Sequence, residues 1–106
     1  MKITIRLAAL LLAATVLPVL AQDDSLAGER LYQENCASCH GANLEGQPDW
    51  RSRLPNGRLP APPHDASGHT WHHTDRVLLD IVKRGTAAIV GNGYESDMPG
   101  FKEVLT

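Results

Sequence analysis

The sequence predicts a small, loop-rich, all-α domain. Three observations lead there. Two segments show helical apolar spacing with suitable ends, no run alternates apolar and polar residues as a strand would, and a long proline- and glycine-rich stretch separates the two helices. Composition sets a further bound. About 42% of the 106 residues are apolar, but sixteen of the first 21 are Ala, Val, Ile, Leu or Met, so about a third of the remaining 85 are apolar. Such a chain holds one domain at most, and with so few large side chains it buries little surface and is marginal by itself. A two-domain enzyme is excluded, and something other than side chains is expected to fill the middle.

The apolar excess has a local explanation. Lys2 and Arg6 form a positive head, Leu7 to Leu17 is apolar apart from Thr15, Pro18 breaks the run, and Val19-Leu20-Ala21 suits a signal peptidase. Residues 1–21 are therefore expected to be a cleaved signal peptide, and the protein to be periplasmic or otherwise exported. The run is shorter than the ~20 apolar residues a spanning helix needs, and no cysteine follows the cleavage point to carry a lipid. Cleavage leaves eight basic residues against twelve acidic ones, a formal charge of −4 with no basic patch. That balance argues against nucleic acid or an anionic membrane surface as a partner.

In the mature chain, Asp23-Asp24-Ser25 reads as a helix start, with Ser25 as cap and the acids near the positive end of the dipole. Leu26, Gly28, Arg30, Leu31 and Tyr32 carry the helical spacing, and the helix is expected to run to about Cys36 and stop near Gly41. From Gly41 to His73 neither periodicity is sustained, and five of the seven prolines fall there. Loops of that length are uncommon in compact domains unless they wrap a ligand or otherwise serve function. His73 or Thr74 then caps a second helix, Asp75 to Arg84, with Val77, Leu78, Ile81 and Val82 on its apolar face. Lys83 and Arg84 suit its negative end, and Gly85 stops it. Thr86 to Gly100 reads as a second loop, and Phe101 to Thr106 as a turn or the beginning of a helix.

The chemistry sits in Cys36-Ala37-Ser38-Cys39-His40, a C-x-x-C-H run. A disulfide redox motif wants a βαβ setting, which the helix-and-loop pattern does not provide. A structural zinc site wants four ligands, and this is the chain's one cysteine pair. Covalent attachment of a haem needs two thiols to add to two vinyl groups and an adjacent imidazole for the iron. Two cysteines three apart at a helix end lie on one face, so both sulfurs can meet one porphyrin edge.

With these residues in view, the sequence resembles the class I c-type cytochromes. The match rests on Gly28-x-x-x-Tyr32, on Cys36-x-x-Cys39-His40-Gly41 and on Met98-Pro99-Gly100-Phe101, and spans about Ala27 to Phe101. Members of that family are single-haem electron carriers or carrier domains of larger complexes. The resemblance implies one haem c held through thioethers to Cys36 and Cys39, with His40 as the proximal and Met98 as the distal iron ligand. It also implies redox proteins as partners.

Met98 has support from its own surroundings. It is the one methionine of the mature chain, 58 residues after His40, beside Pro99 and Gly100. Pro99 biases it away from helical dihedrals. A methionine usually fills a core gap, but a loop position between Asp97 and Pro99 suits that poorly. A His/Met pair raises the reduction potential and closes both axial positions, so no separate enzymatic activity is expected.

Among secondary features, the Pro60-Ala61-Pro62-Pro63 carbonyls are candidates to accept the other N–H of His40. Arg58, Trp71 and Tyr94 are candidates to bond the haem propionates. His64, His69, His72 and His73 crowd together; they are expected to surround the haem edge or the helix start, with a second metal as the alternative. The resemblance also leads one to expect a C-terminal helix crossing the first helix at Gly28 and Tyr32. The sequence stops eight residues after Met98, so the domain, residues 22–106, is expected to be incomplete at its C-terminus. The leading function is an exported electron carrier. The alternatives are a haem enzyme or sensor with an open distal site, and a His-rich metal-binding module.

The signal reading has a direct check. Protein recovered from an exporting host is expected to begin at Gln22, by intact mass or N-terminal sequencing. Retention of residues 1–21 in the mature material would overturn it.

Overall fold

The first helix begins earlier than its capping signals suggest. The computed structural model describes residues 20–105, with side chains from residue 24 onward, so the expected signal peptide lies outside the described residues apart from Leu20 and Ala21. Helix α1 runs Leu20–Asn35, which puts Ser25 inside it rather than at its cap. No glycine or proline occurs between Leu20 and Ala27, and Asp23 and Asp24 sit in the first turns, where acids are favoured. Nothing in that stretch stops a helix. An exposed i,i+4 pair, Arg30–Glu34 at 3.8 Å, adds a few tenths of a kcal/mol (~0.3–0.5).

At its end α1 is closed by the Asn35 side chain, whose amide donates to the Leu31 carbonyl at 3.0 Å. Cys36, at φ −120° and ψ −36°, steps out of helical geometry before α2, Ala37–His40. The backbone ladder carries across this step, with Cys36 N–H to Tyr32 O at 2.8 Å and His40 N–H to Cys36 O at 2.9 Å. The C-x-x-C-H run therefore occupies the end of a helical segment, as the sequence predicts.

Beyond α2 the chain runs without helix or strand until a single 3₁₀ turn, Thr70–His72. Helix α3, Asp75–Arg84, has the predicted bounds; Thr74 is its cap, its hydroxyl accepting the Val77 N–H at 3.4 Å. A short helix, α4, Thr86–Val90, lies in a segment the sequence reads as loop. Five residues between Gly85 and Gly91 are too few for a period to declare itself. So short a helix is held by packing, in this case against α3. Residues 101–105 form a turn, with Leu105 N–H bonded to Phe101 O at 2.8 Å. Among the described residues there is no strand, and the architecture is all-α and loop-rich.

The segment after Met98 is fastened to the end of α3. Phe101 N–H donates to Val82 O at 2.8 Å and Lys102 N–H to Lys83 O at 3.2 Å. This requires two backbones almost in contact. A Cβ on Gly100 would fall 2.6 Å from Lys83 O, and one on Gly85, which closes α3 at φ +83°, would fall 3.0 Å from Met98 O. Both positions need glycine for that approach.

Packing is otherwise thin. Among the described residues no large apolar side chain is buried; the buried positions are His40, Pro60, Pro63, Gly68 and Gly85. Leu59, Leu78, Ile81, Val82, Ile89 and Phe101 are half-buried. Gly28 and Tyr32 of α1 border an open groove of about 550 Å³ whose other wall includes Asn43 and Leu44.

Two glycines make opposite predictions. Gly100→Ala is expected to lower stability by about 1–3 kcal/mol, because the added methyl meets an immovable backbone carbonyl. At Gly28 nothing lies within 4 Å of an added Cβ, so Gly28→Ala is expected to raise stability by ~0.5–1 kcal/mol through helix propensity. Denaturant unfolding of the haem-loaded protein measures both, and loss of stability in Gly28→Ala would mean that another element packs on that face.

Candidate functional site

His40 is the most enclosed polar residue described, at 7% exposed. Its Nδ1 lies 2.8 Å from the carbonyl oxygen of Pro62. A carbonyl only accepts, so Nδ1 carries the proton and donates, which leaves the lone pair on Nε2. That tautomer and fixed ring are what a metal-ligating histidine has in folded proteins. The sequence reading placed the acceptor within Pro60–Pro63, and Pro62 supplies it.

The prolines reach His40 because glycines flank them. A Cβ on Gly46 would come within 2.4 Å of Pro63 N, and one on Gly68 within 2.0 Å of Pro63 O. Gly46 N–H also donates to His40 O at 2.7 Å, while Gln47 N–H donates to Ala61 O at 2.9 Å. The stiff prolyl segment is thus clamped between two side-chain-free walls directly against His40. On the other side, the hydroxyl of Tyr32 donates to Gly41 O at 2.8 Å and holds the chain as it leaves the motif.

Cys36 is half-buried and Cys39 exposed; neither is in a disulfide. Burial pushes the Cys36 thiol above its ordinary value, and the neighbouring Cys39 adds to the shift. Dithiol redox motifs have the opposite perturbation, a depressed pKa that makes a ready thiolate. The thiol environment therefore argues against the disulfide-exchange reading.

Met98 is half-buried, and several contacts fix it. Its N–H donates to the Ser96 hydroxyl at 3.1 Å. Its sulfur accepts from the Thr86 hydroxyl at 3.3 Å. Arg58, thirty-nine residues upstream of Asp97, pairs with that carboxylate and with Glu95 at 3.9 Å, so the long loop and the methionine loop are tied together. Nothing in the sequence marks Thr86, which follows a glycine in a segment without periodicity.

The remaining candidates are placed as follows. Trp71 is 72% exposed, and its indole N–H donates to Gly68 O at 3.0 Å, so its hydrogen-bonding capacity is already used by the backbone. Arg58 carries the acidic pairs just described, and Tyr94 is half-buried. His64 stacks on His40, with ring centroids 4.0 Å apart and planes at 26°. Burial first, then the like charges that His40 and His69 would carry, push its pKa down to about 4, which keeps it neutral at pH 7. His69, His72 and His73 form a separate group of rings with centroids 5.3–5.8 Å apart, and Trp50 stacks on His69. Among the described residues no set of three or more His, Cys, Asp or Glu is arranged to hold a metal. The second-metal reading gains nothing from this geometry.

The donor set suits a haem: two thiols on one helix end, an imidazole with Nε2 as its basic nitrogen, and a loop thioether. So does the packing. Among the described residues no large apolar side chain is buried, which leaves little hydrophobic drive to fold; a broad apolar ring covering half-buried side chains such as Leu78, Ile81 and Phe101 would supply it. Comparison with known proteins decides the family: the model described as Cytochrome c matches residues 25–106. The chain belongs to the cytochrome c family. Accordingly it carries covalently bound haem c with its iron, and Cys36 and Cys39 fit the C-x-x-C-H attachment motif.

Two relatives agree. The chain is 45% identical to cytochrome c-555 of Prosthecochloris aestuarii over 42 residues, 34% of this chain and 42% of that protein. It is 61% identical to cytochrome c-550 of Virgibacillus halodenitrificans over 23 residues, 22% of this chain and 66% of that protein. The matches thus span less than two thirds of either relative. No solved structure matches the chain.

Covalent attachment predicts that the haem stays with the polypeptide through denaturation and acid–acetone extraction. Cys36→Ala and Cys39→Ala are each expected to leave one thioether or none. The double variant, without haem, is expected to lose its cooperative thermal transition by circular dichroism, since the ring no longer covers the half-buried side chains. Complete extraction of haem from the unaltered protein is the contrary result.

Proposed function

We propose that this cytochrome c is an exported electron carrier whose single haem iron is held by His40 and Met98. The observation that carries the reading is the pair of independently fastened donors. His40 is oriented by Pro62, and Met98 by the Ser96, Thr86 and Arg58–Asp97 contacts on a loop stapled to α3. The haem supplies reversible ferric–ferrous cycling. The chain's own residues hold the ring, orient the imidazole, present the thioether and exclude water from the proximal side.

Were Met98 to hold the iron together with His40, little access would be left for a substrate, which supports a carrier over an enzyme. Such a pair also favours a higher potential than harder ligands would. The partners are redox proteins that deliver and accept single electrons. Nothing in the geometry favours an open distal site or a His-rich metal module over this reading.

Optical spectroscopy of the loaded protein tests it. The ferric form is expected to show the weak sulfur-to-iron band in the near infrared. Met98→Ala is expected to keep covalent haem, lose that band, lower the midpoint potential and bind cyanide at least about tenfold more tightly, the equivalent of removing a competing bond worth ~1.4 kcal/mol. An unaltered spectrum in Met98→Ala would remove Met98 from the iron. His40→Ala is expected to abolish stable haem incorporation.

A further inference from the structure

We propose that Thr86 is a positioning residue for the iron's distal ligand, with its hydroxyl orienting the Met98 sulfur and setting how strongly that sulfur donates. The inference deepens the His40/Met98 reading and rests on it.

The backbone of the methionine loop is held without help from Thr86. Ser96 accepts the Met98 N–H, Arg58 pairs with Asp97, and the following residues bond to Val82 O and Lys83 O. These contacts fix where the residue sits, not where its sulfur points. A methionine side chain has three rotatable bonds, and none of these backbone contacts sets them. Thr86 closes that gap. It is the first residue of α4, directly after Gly85, whose backbone packs so closely that a Cβ there would lie 3.0 Å from Met98 O. The hydroxyl then reaches Sδ at 3.3 Å, with both groups half-buried.

The chemical consequence follows from the lone pairs. A thioether sulfur has two, so one can serve iron while the other accepts the Thr86 proton. A donor on the second pair would draw density from the sulfur. That would disfavour ferric iron more than ferrous iron, so the hydrogen bond would raise the potential. It also selects one of the two lone pairs for iron, and therefore the handedness of the ligated sulfur.

Thr86→Val removes the donor and keeps the shape, whereas Thr86→Ser keeps the donor and removes a methyl. In the haem-loaded full chain, Thr86→Val is expected to lower the ferrous-to-ferric ratio at a fixed solution potential by about 2- to 10-fold, the range of one hydrogen bond. Thr86→Ser is expected to stay within about twofold of the unaltered protein, and the near-infrared band should shift in the valine variant alone. A merely structural role moves the thermal midpoint in both variants and leaves the redox ratio in place. An unshifted ratio in Thr86→Val, or the same shift in Thr86→Ser, overturns the proposal. If Thr86→Val does not accumulate with haem, Thr86→Ala against Thr86→Ser makes the same comparison. Absence of the band in the unaltered protein is a separate failure: it removes Met98 from the iron and this inference with it.

Discussion

The hydrogen bond from His40 Nδ1 to the Pro62 carbonyl spans 22 residues, and most of the long loop is arranged so that it can form. It needs the Pro62 oxygen free of any regular ladder, and the prolines of Pro60-Ala61-Pro62-Pro63, lacking the N–H that a ladder requires, keep this run out of one. It needs the prolyl segment to lie against α2, which Gly46 and Gly68 permit by presenting backbone where any side chain would collide. It needs the end of α2 held still, which Tyr32 and Gly46 do through the carbonyls of Gly41 and His40. One imidazole, held with its Nδ1 on the Pro62 carbonyl, is the product of all these constraints.

The two halves of the chain solve the same problem differently. In the first, α1 and α2 pack together and put two thiols and an imidazole on one helical end. In the second, α3 and α4 pack together and present a loop by backbone contacts at Gly85 and Gly100. Arg58 bridges them through Asp97 and Glu95, although pairs so exposed contribute only ~0.2–1 kcal/mol each. Leu59, Leu78, Ile81, Val82, Ile89 and Phe101 are only half-buried among themselves, so a haem that covered them would tie fold stability to cofactor attachment.

This division also separates binding from tuning. Attachment depends on a short contiguous motif, and loss of a thiol is a local chemical event. The behaviour of the iron depends on contacts from distant positions: a prolyl carbonyl on one side, a threonine hydroxyl on the other in the proposed site. Such outer contacts alter the donor strength of ligands without changing their identity. Relatives that share the motif can therefore differ in potential through residues outside it.

The contiguous features were legible in the sequence. Helix α3 has its predicted bounds because a capping threonine, an apolar face of Val77, Leu78, Ile81 and Val82, two terminal cations and a glycine all act within a few residues. The C-x-x-C-H run was legible for the same reason, as was the need for a carbonyl from Pro60–Pro63. The start of α1 was misplaced because Ser25 is a good cap that the preceding residues do not need. Helix α4 was missed because five residues carry no period. Only the tertiary structure decided that Pro62 rather than its neighbours faces His40, that His64 stacks on that ring, that Trp71 turns its indole to Gly68 O and that Thr86 meets the Met98 sulfur. Each of these depends on how close two backbones come, and that distance is set by packing between segments far apart in the chain, where local propensity has no reach.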